Sequence, residues 1–202
     1  FATLQDDVPV EPFEKVKKII DEELGNLEEN LDYFNKDAFS GASLGQVYHA
    51  KYNGRDVVGK ISRPGIERIV DEDISIIKKL IPLSTRFIDP NLRFSVEGMF
   101  SQFIETIYEE MDYVKEAQNL LTIKKNLANE KKIIIPNVIL DRTSKHIITT
   151  EYEPGIKITD IETLDKKGID RQKLVILIHH VFFKMLLRNN IFHSDPHPGN
   201  IA

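Results

Sequence analysis

Eight residues near the end of the chain carry its densest chemistry: His193-Ser-Asp-Pro-His-Pro-Gly-Asn200. They hold two imidazoles, one carboxylate and one carboxamide, with Asp195 two positions after His193 and five before Asn200. Those types suit proton transfer and cation binding. Pro196 and Pro198 fix two φ angles, so the segment loses less entropy in presenting the polar groups. His193, Asp195 and His197 also have the types of a transition-metal site, which would make the chain a metal-dependent hydrolase. No other His or carboxylate cluster in the sequence completes that shell, and this reading ranks last.

Such groups need something to act on, and the candidates lie upstream. Two β-prone runs, Phe39–Tyr52 and Arg55–Ile61, flank Asn53-Gly54, a strong short-range hairpin signal. Ser40, Gly41, Ala42 and Ser43, with Gly45 close behind, precede or begin the first run. A stretch without bulky side chains lets backbone N–H groups approach a phosphate. Lys60 stands at the end of the second run, in Val57-Val-Gly-Lys60. A lone lysine there is ordinarily a solvated edge residue. In this order, however, loop, hairpin and lysine have the layout of an ATP-gripping kinase lobe. The spacing from Asp195 to Asn200 is likewise that of the protein-kinase catalytic loop, whose Asp orients the substrate hydroxyl and whose Asn holds magnesium.

The surrounding elements follow from periodicity. Phe13, Val16, Ile19, Ile20 and Leu24 recur at helical spacing before Gly25. A second amphipathic helix runs from Ile66 to Leu80, and Pro82 and Pro90 bracket a loop. One long periodic segment is expected from about Arg93 to Ala128, with Asp112 and Glu116 one turn apart on a shared face. A carboxylate on such a helix could pair with Lys60. Lys131–Pro136, Asn137–Leu140 and His146–Glu151 are strand-like, and Glu151-Tyr-Glu-Pro-Gly155 marks a boundary between lobes. A helix from Arg171 to Arg188 follows a short segment near Ile158, with Leu174, Val175, Ile178, Val181, Phe182 and Met185 as its buried stripe. His179 and His180 within it are expected to be structural or exposed rather than ligands.

Composition narrows the classes. A length of 202 residues suits one domain or one domain of two small lobes, and 41% apolar residues can build a core. The net charge of −5, without a basic stripe, argues against nucleic-acid binding. With no cysteine, disulfides and thiolate metal sites are excluded, and a reducing, intracellular compartment is favoured. No apolar run approaches the roughly 18 residues of a membrane span. The chain starts without Met and both ends look cut, so it is expected to be a fragment.

Taken together, the chain resembles the UbiB family of atypical, protein-kinase-like kinases and ATPases linked to ubiquinone and isoprenoid-lipid metabolism. The resemblance rests on Leu4-Gln-Asp-Asp-Val-Pro9, Ala42-Ser-Leu-Gly-Gln-Val47, Lys60 with Arg63-Pro-Gly65, Glu110-Met-Asp112 with Glu116-Ala-Gln-Asn119, and His193 to Asn200. It implies an α+β, two-lobed protein-kinase-like fold: residues 1–34 ending a helical extension, 35–152 an N-lobe with a helical insert, and 153–202 the start of a helical C-lobe. ATP and Mg2+ are the implied cofactors, and phosphoryl transfer or ATP hydrolysis the implied reaction. In that scheme Lys60 grips phosphates, Glu116 pairs with it, Asp195 is the catalytic acid and Asn200 a magnesium ligand. Ser40, Gly41, Ala42 and Ser43 form the nucleotide loop, while Glu151, Tyr152 and Glu153 meet adenine. Glu110 and Asp112 match a regulatory acidic pair.

The resemblance implies a small-molecule, lipid or protein substrate and membrane association, if any, through segments outside this chain, while the charge leaves no nucleic-acid partner expected. Departures are the fewer alanines and Gly41 in the loop, Gly59 before Lys60, and a second metal-binding Asp expected beyond Ala202. For want of that Asp the fragment is expected to be inactive alone. Two alternatives remain at this point: a small-molecule kinase of aminoglycoside or choline-kinase type, and a nucleotide-binding pseudokinase scaffold. Leu4–Pro9 and Glu110–Asp112 favour UbiB over the former.

Overall fold

The computed structural model describes residues 10–41, 44–84, 89–189, 191 and 201. The chain divides into two compact units, one formed by Phe1–Ala117 with Val138–Glu151, the other by Gln118–Asn137 with Tyr152–Ala202.

In the first unit, helix α1 (Phe13–Leu24) ends where Gly25 takes φ 81°, and α2 (Leu27–Asn30) follows, capped by the Asn26 side chain accepting from the Glu28 N–H at 3.1 Å. Strands β1 (Tyr33–Phe34) and β2 (Ser40–Gly41) are too short to leave a periodic signal. Both pair with β3 (Gly45–Tyr52), which pairs with β4 (Arg55–Ser62), and β4 pairs with β5 (Ile147–Glu151). All four pairings are antiparallel. The expected hairpin is present: Asn53 and Gly54 take φ of 51° and 74°, the turn geometry that matches strand twist, and Tyr52 faces Arg55.

Alternation along the strands gives the sheet two different faces. On one, Tyr48, Ile61 and Ile147 pack with Val16, Ile20 and Leu27 from α1 and α2. The rings of Phe13, Phe34 and Tyr48 meet with centroids 5.2–6.3 Å apart. Gln46, fully buried here, donates to the Tyr48 hydroxyl at 2.8 Å and accepts from the Glu11 N–H, so its amide is not stranded. The opposite face carries Ile148, packed against Tyr113 and Ala117.

A histidine ties this unit together. His146, just before β5, meets Glu23 of α1 through Nδ1 and lies 3.1 Å from Glu67 through Nε2. Ser144 also donates to Glu23, and Lys145 reaches Glu67 at 2.6 Å.

Several sequence expectations change in detail. Helix α3 (Ile66–Ser84) continues through Pro82 instead of stopping before it, because a proline so close to the helix end forgoes only one intrahelical hydrogen bond; Leu83 beyond it stays exposed. The long periodic segment is two helices, α4 (Pro90–Glu110) and α5 (Tyr113–Asn126). Pro90 opens α4, where a missing N–H has no partner to lose. The break is at Asp112, whose carboxylate accepts from the N–H groups of Val114 and Lys115 at 3.0 and 3.4 Å, the geometry of a helix start. Asp112 is therefore a cap and not a residue sharing a helix face with Glu116.

In the second unit, residues 131–137 form no strand. Ile133 and Ile135 instead pack on a core of Leu127, Val181 and Met185. Lys124 donates to the Ile135 carbonyl at 2.7 Å, occupying an acceptor that a sheet partner would have used. Back in the first unit, Val138 makes a single bridge to Thr150, and Leu140–Arg142 forms a 3-10 turn, so Asn137–Leu140 is not a strand either. Helices α6 (Ile161–Lys166) and α7 (Arg171–Lys184) are capped by the side chains of Asp160 and Asp170. Beyond α7 the chain widens into a π-type turn, Met185–Asn189. Val181 and Met185 of the expected stripe are buried, but Val175, one position round from Leu174, is half exposed. His179 bonds the Val175 carbonyl at 2.9 Å, and His180 is exposed. No described helix is long and apolar enough to cross a membrane.

Candidate functional site

The site is built on the sheet face opposite α1. Val47, Lys60 and Ile148 are neighbours across β3, β4 and β5, and alternation puts them on one face. The first turn of α5 lies over that face, bringing Tyr113, Glu116 and Ala117 to it. Lys60 Nζ stands 2.7 Å from Glu116 Oε2 and 4.6 Å from the centre of the Tyr113 ring. The two charged side chains are 32% and 43% exposed, so the pair is open enough to be approached from solvent.

Tyr113 is completely buried, and its N–H donates to the Lys145 carbonyl at 3.0 Å. Burial pushes its hydroxyl pKa up to about 12. The neighbouring Ser62 side chain opposes that shift, but among the described residues the hydroxyl has no hydrogen-bond partner of normal geometry. The hydroxyl abuts Gly45, where any Cβ would collide with it and would also come within 2.9 Å of the Ile61 carbonyl oxygen.

The other candidates fall as follows. Ser40 and Gly41 form β2, facing Val47 and Gln46 of β3, while Ala42 and Ser43 lie outside the described residues. Glu110 ends α4 with its side chain exposed, and Asp112 caps α5, so this acidic pair flanks the turn that delivers Tyr113 and Glu116. Glu151 ends β5 and pairs with Arg55 at 2.6 Å. Tyr152 and Glu153 follow in irregular backbone of the second unit. His193, Asp195, His197 and Asn200 lie outside the described residues. Among the described residues no His, Asp and Glu cluster could hold a metal ion.

The model of the ABC1 atypical kinase-like domain matches residues 3–202.

The chain belongs to the ABC1 atypical kinase-like family.

Its relatives include the chloroplastic Protein ACTIVITY OF BC1 COMPLEX KINASE 8 of Arabidopsis thaliana, 34% identical over 205 residues that cover 100% of this chain and 27% of that protein. The Probable protein kinase UbiB of Actinobacillus pleuropneumoniae is 34% identical over 209 residues, covering 99% and 38%. The chain thus spans about a quarter to two-fifths of the length of these curated ABC1 relatives. Among solved structures, Rv3197 of Mycobacterium tuberculosis, determined as a complex with erythromycin, superposes with a TM-score of 0.78 at 26% identity over 95% of this chain and 48% of that one. The fold is accordingly kinase-like and α+β, with an antiparallel sheet and associated helices.

Two residues of this candidate site have roles that the sequence does not signal directly. Tyr113 is one letter between Asp112 and Glu116, and Gly45 is one of several small residues. The usable signal was that Tyr113 precedes Glu116 by three positions, which on a helix puts both on the surface that meets Lys60.

Proposed function

We propose that this chain is the ATP- and magnesium-binding part of a UbiB-type atypical kinase or ATPase, acting in phosphoryl transfer or ATP hydrolysis that supports quinone or isoprenoid-lipid metabolism. The observation that carries the reading is the Lys60–Glu116 ion pair, 2.7 Å across β4 and α5. A lysine held by a helix carboxylate on the open face of an antiparallel sheet is the arrangement by which kinases aim an ammonium at nucleotide phosphates.

In this reading Lys60 binds the phosphates and Glu116 keeps its amine from swinging into solvent. The backbone of Ser40, Gly41, Ala42 and Ser43 covers the phosphates with N–H groups. Glu151, Tyr152 and Glu153 meet the adenine edge, and Glu110 and Asp112 are the regulatory acidic pair. Asp195 orients the acceptor hydroxyl or a water. The donor chemistry fits the metal as well, since the Asn200 carboxamide is a hard oxygen ligand of the kind magnesium takes. When bound, the ion neutralises charge that develops on the phosphate oxygens. The chain's own contribution is mainly positioning and electrostatics. The acceptor would be a small molecule, a lipid or a protein, and membrane association would come through segments beyond this chain. The names of UbiB relatives and the family match support this class.

The test is thermal denaturation of the full-length protein with and without Mg-ATP. At a nucleotide concentration 100 times Kd, linkage predicts about 2.7 kcal/mol of added stability. Lys60→Ala should remove it. If the wild-type protein gains nothing from Mg-ATP, the reading is wrong.

A further inference from the structure

A lysine–glutamate pair this open restrains an amine from one side only. Both side chains are long, and solvent competes for each partner. What differs here is the floor beneath the amine. The Tyr113 ring sits with its centre 4.6 Å from Lys60 Nζ, is 0% exposed, and packs in one cluster with Ala117 and Ile148. Its N–H is tied to the Lys145 carbonyl, and its hydroxyl end is stopped by the backbone at Gly45. The ring is therefore packed on several sides. It is neutral at physiological pH, as a tyrosine of ordinary pKa 10 already is, and burial pushes that value further up, to about 12. Tyr113 and Glu116 also belong to the same turn of α5, so ring and carboxylate move as one body.

We propose that Tyr113 is a positioning residue for Lys60, its buried ring holding the ammonium by a cation–π contact while Glu116 holds it from the side, with Gly45 as the space that admits the ring. The inference rests on the reading that Lys60 meets phosphates, yet the two can fail separately.

The experiment uses the full-length protein. Mg-ATP dissociation constants are measured for Tyr113→Phe, Tyr113→Leu, Lys60→Ala and the Lys60→Ala/Tyr113→Leu double variant. In parallel, the Lys60 ε-methylene resonance is followed in 13C-lysine-labelled protein, assigned by its loss in Lys60→Arg. Tyr113→Phe should bind within about twofold of wild type, and Tyr113→Leu about 5- to 30-fold more weakly, the span of a cation–π contact. The double variant should bind no worse than Lys60→Ala. The methylene should be shifted upfield by the ring current in wild type and Tyr113→Phe, and should return to its ordinary position in Tyr113→Leu. Wild-type affinity in Tyr113→Leu, additive losses in the double variant, or a methylene resonance that does not respond to loss of the ring would overturn the proposal. If Lys60→Ala binds Mg-ATP normally, the phosphate reading fails, and the resonance alone decides whether Tyr113 positions Lys60. Should Tyr113→Leu not fold, Gly45→Ala displaces the ring instead and must move the same resonance.

Discussion

The two faces of one small sheet are built on opposite principles. Toward α1 and α2, Tyr48, Ile61 and Ile147 meet Val16, Ile20 and Leu27 in a buried, aromatic-rich core, and even the buried Gln46 has its amide satisfied. Toward α5, the same three strands present Val47, Lys60 and Ile148 to a tyrosine whose hydroxyl has no partner of normal geometry among the described residues and a glutamate left partly in solvent. One face is optimised for burial. The other gives up burial to keep an amine accessible but aimed. The difference teaches that strand alternation alone partitions stability and chemistry: Ile61 belongs to the core, and Lys60, next in sequence, belongs to the site.

The largest test of this contrast is Ile61→Ala, which opens a cavity on the core face. It should cost about 2–5 kcal/mol by urea denaturation. Mg-ATP affinity of the folded protein should be unchanged, and an affinity loss as large as that of Tyr113→Leu would show that the faces are not separable. On the site face, Gly45→Ala should cost about 1–3 kcal/mol, since the new methyl strikes both the Tyr113 hydroxyl and the Ile61 carbonyl. Combining it with Tyr113→Phe removes one of those clashes, so the double-mutant cycle should show positive coupling. Strict additivity would mean the tyrosine is not what Gly45 accommodates.

A smaller effect concerns the histidine that joins α1, α3 and β5. Burial lowers the His146 pKa, but hydrogen bonds and charge from Glu23 and Glu67 outweigh it, leaving a net value above the ordinary 6.5. For Glu23, burial raises the pKa, and Ser144 and His146 outweigh that, leaving it below 4.5. A raised histidine contributes stability that is complete below 6.5 and is lost as pH rises through its folded value. A lowered carboxylate contributes stability that is complete above 4.5 and is lost as pH falls through its own. Both contributions are therefore full between 4.5 and 6.5. The urea midpoint should fall as pH rises from 6.5 toward 8, and His146→Gln should flatten that slope while leaving the core face intact. An unchanged slope would remove His146 from the account.

The smallest expected effect is a gain. At Gly59 a Cβ would meet only Thr149 Oγ1, at 3.9 Å, and the glycine lines an apolar cavity between the sheet and α1. Gly59→Ala should stabilise by about 0.4–1 kcal/mol, chiefly through the unfolded chain, with Mg-ATP affinity unaltered. A loss of stability would show that the core face is already full.

What could be learned from the letters alone was local or ordered along the chain. Asn53-Gly54 dictated the hairpin because two consecutive residues tolerate positive φ there, and Gly25 ended α1 for the same reason. The sequence of small-residue loop, Lys60, Glu116 and His193–Asn200 identified the family, since each motif is read as a string. Other features depended on partners distant in sequence. Residues 131–137 look like a strand, yet they pack on Leu127 and Val181 because hydrophobic burial was available and a ladder partner was not. Asp112 looked like one position in a long helix, and only its carboxylate, turned back on the next N–H groups, made it a start. Tyr113, buried under Lys60 with Gly45 carved out for its hydroxyl, could be recognised only once β3, β4 and α5 were in contact. A cation–π contact and a steric allowance are properties of three segments at once, and no spacing in one of them encodes either.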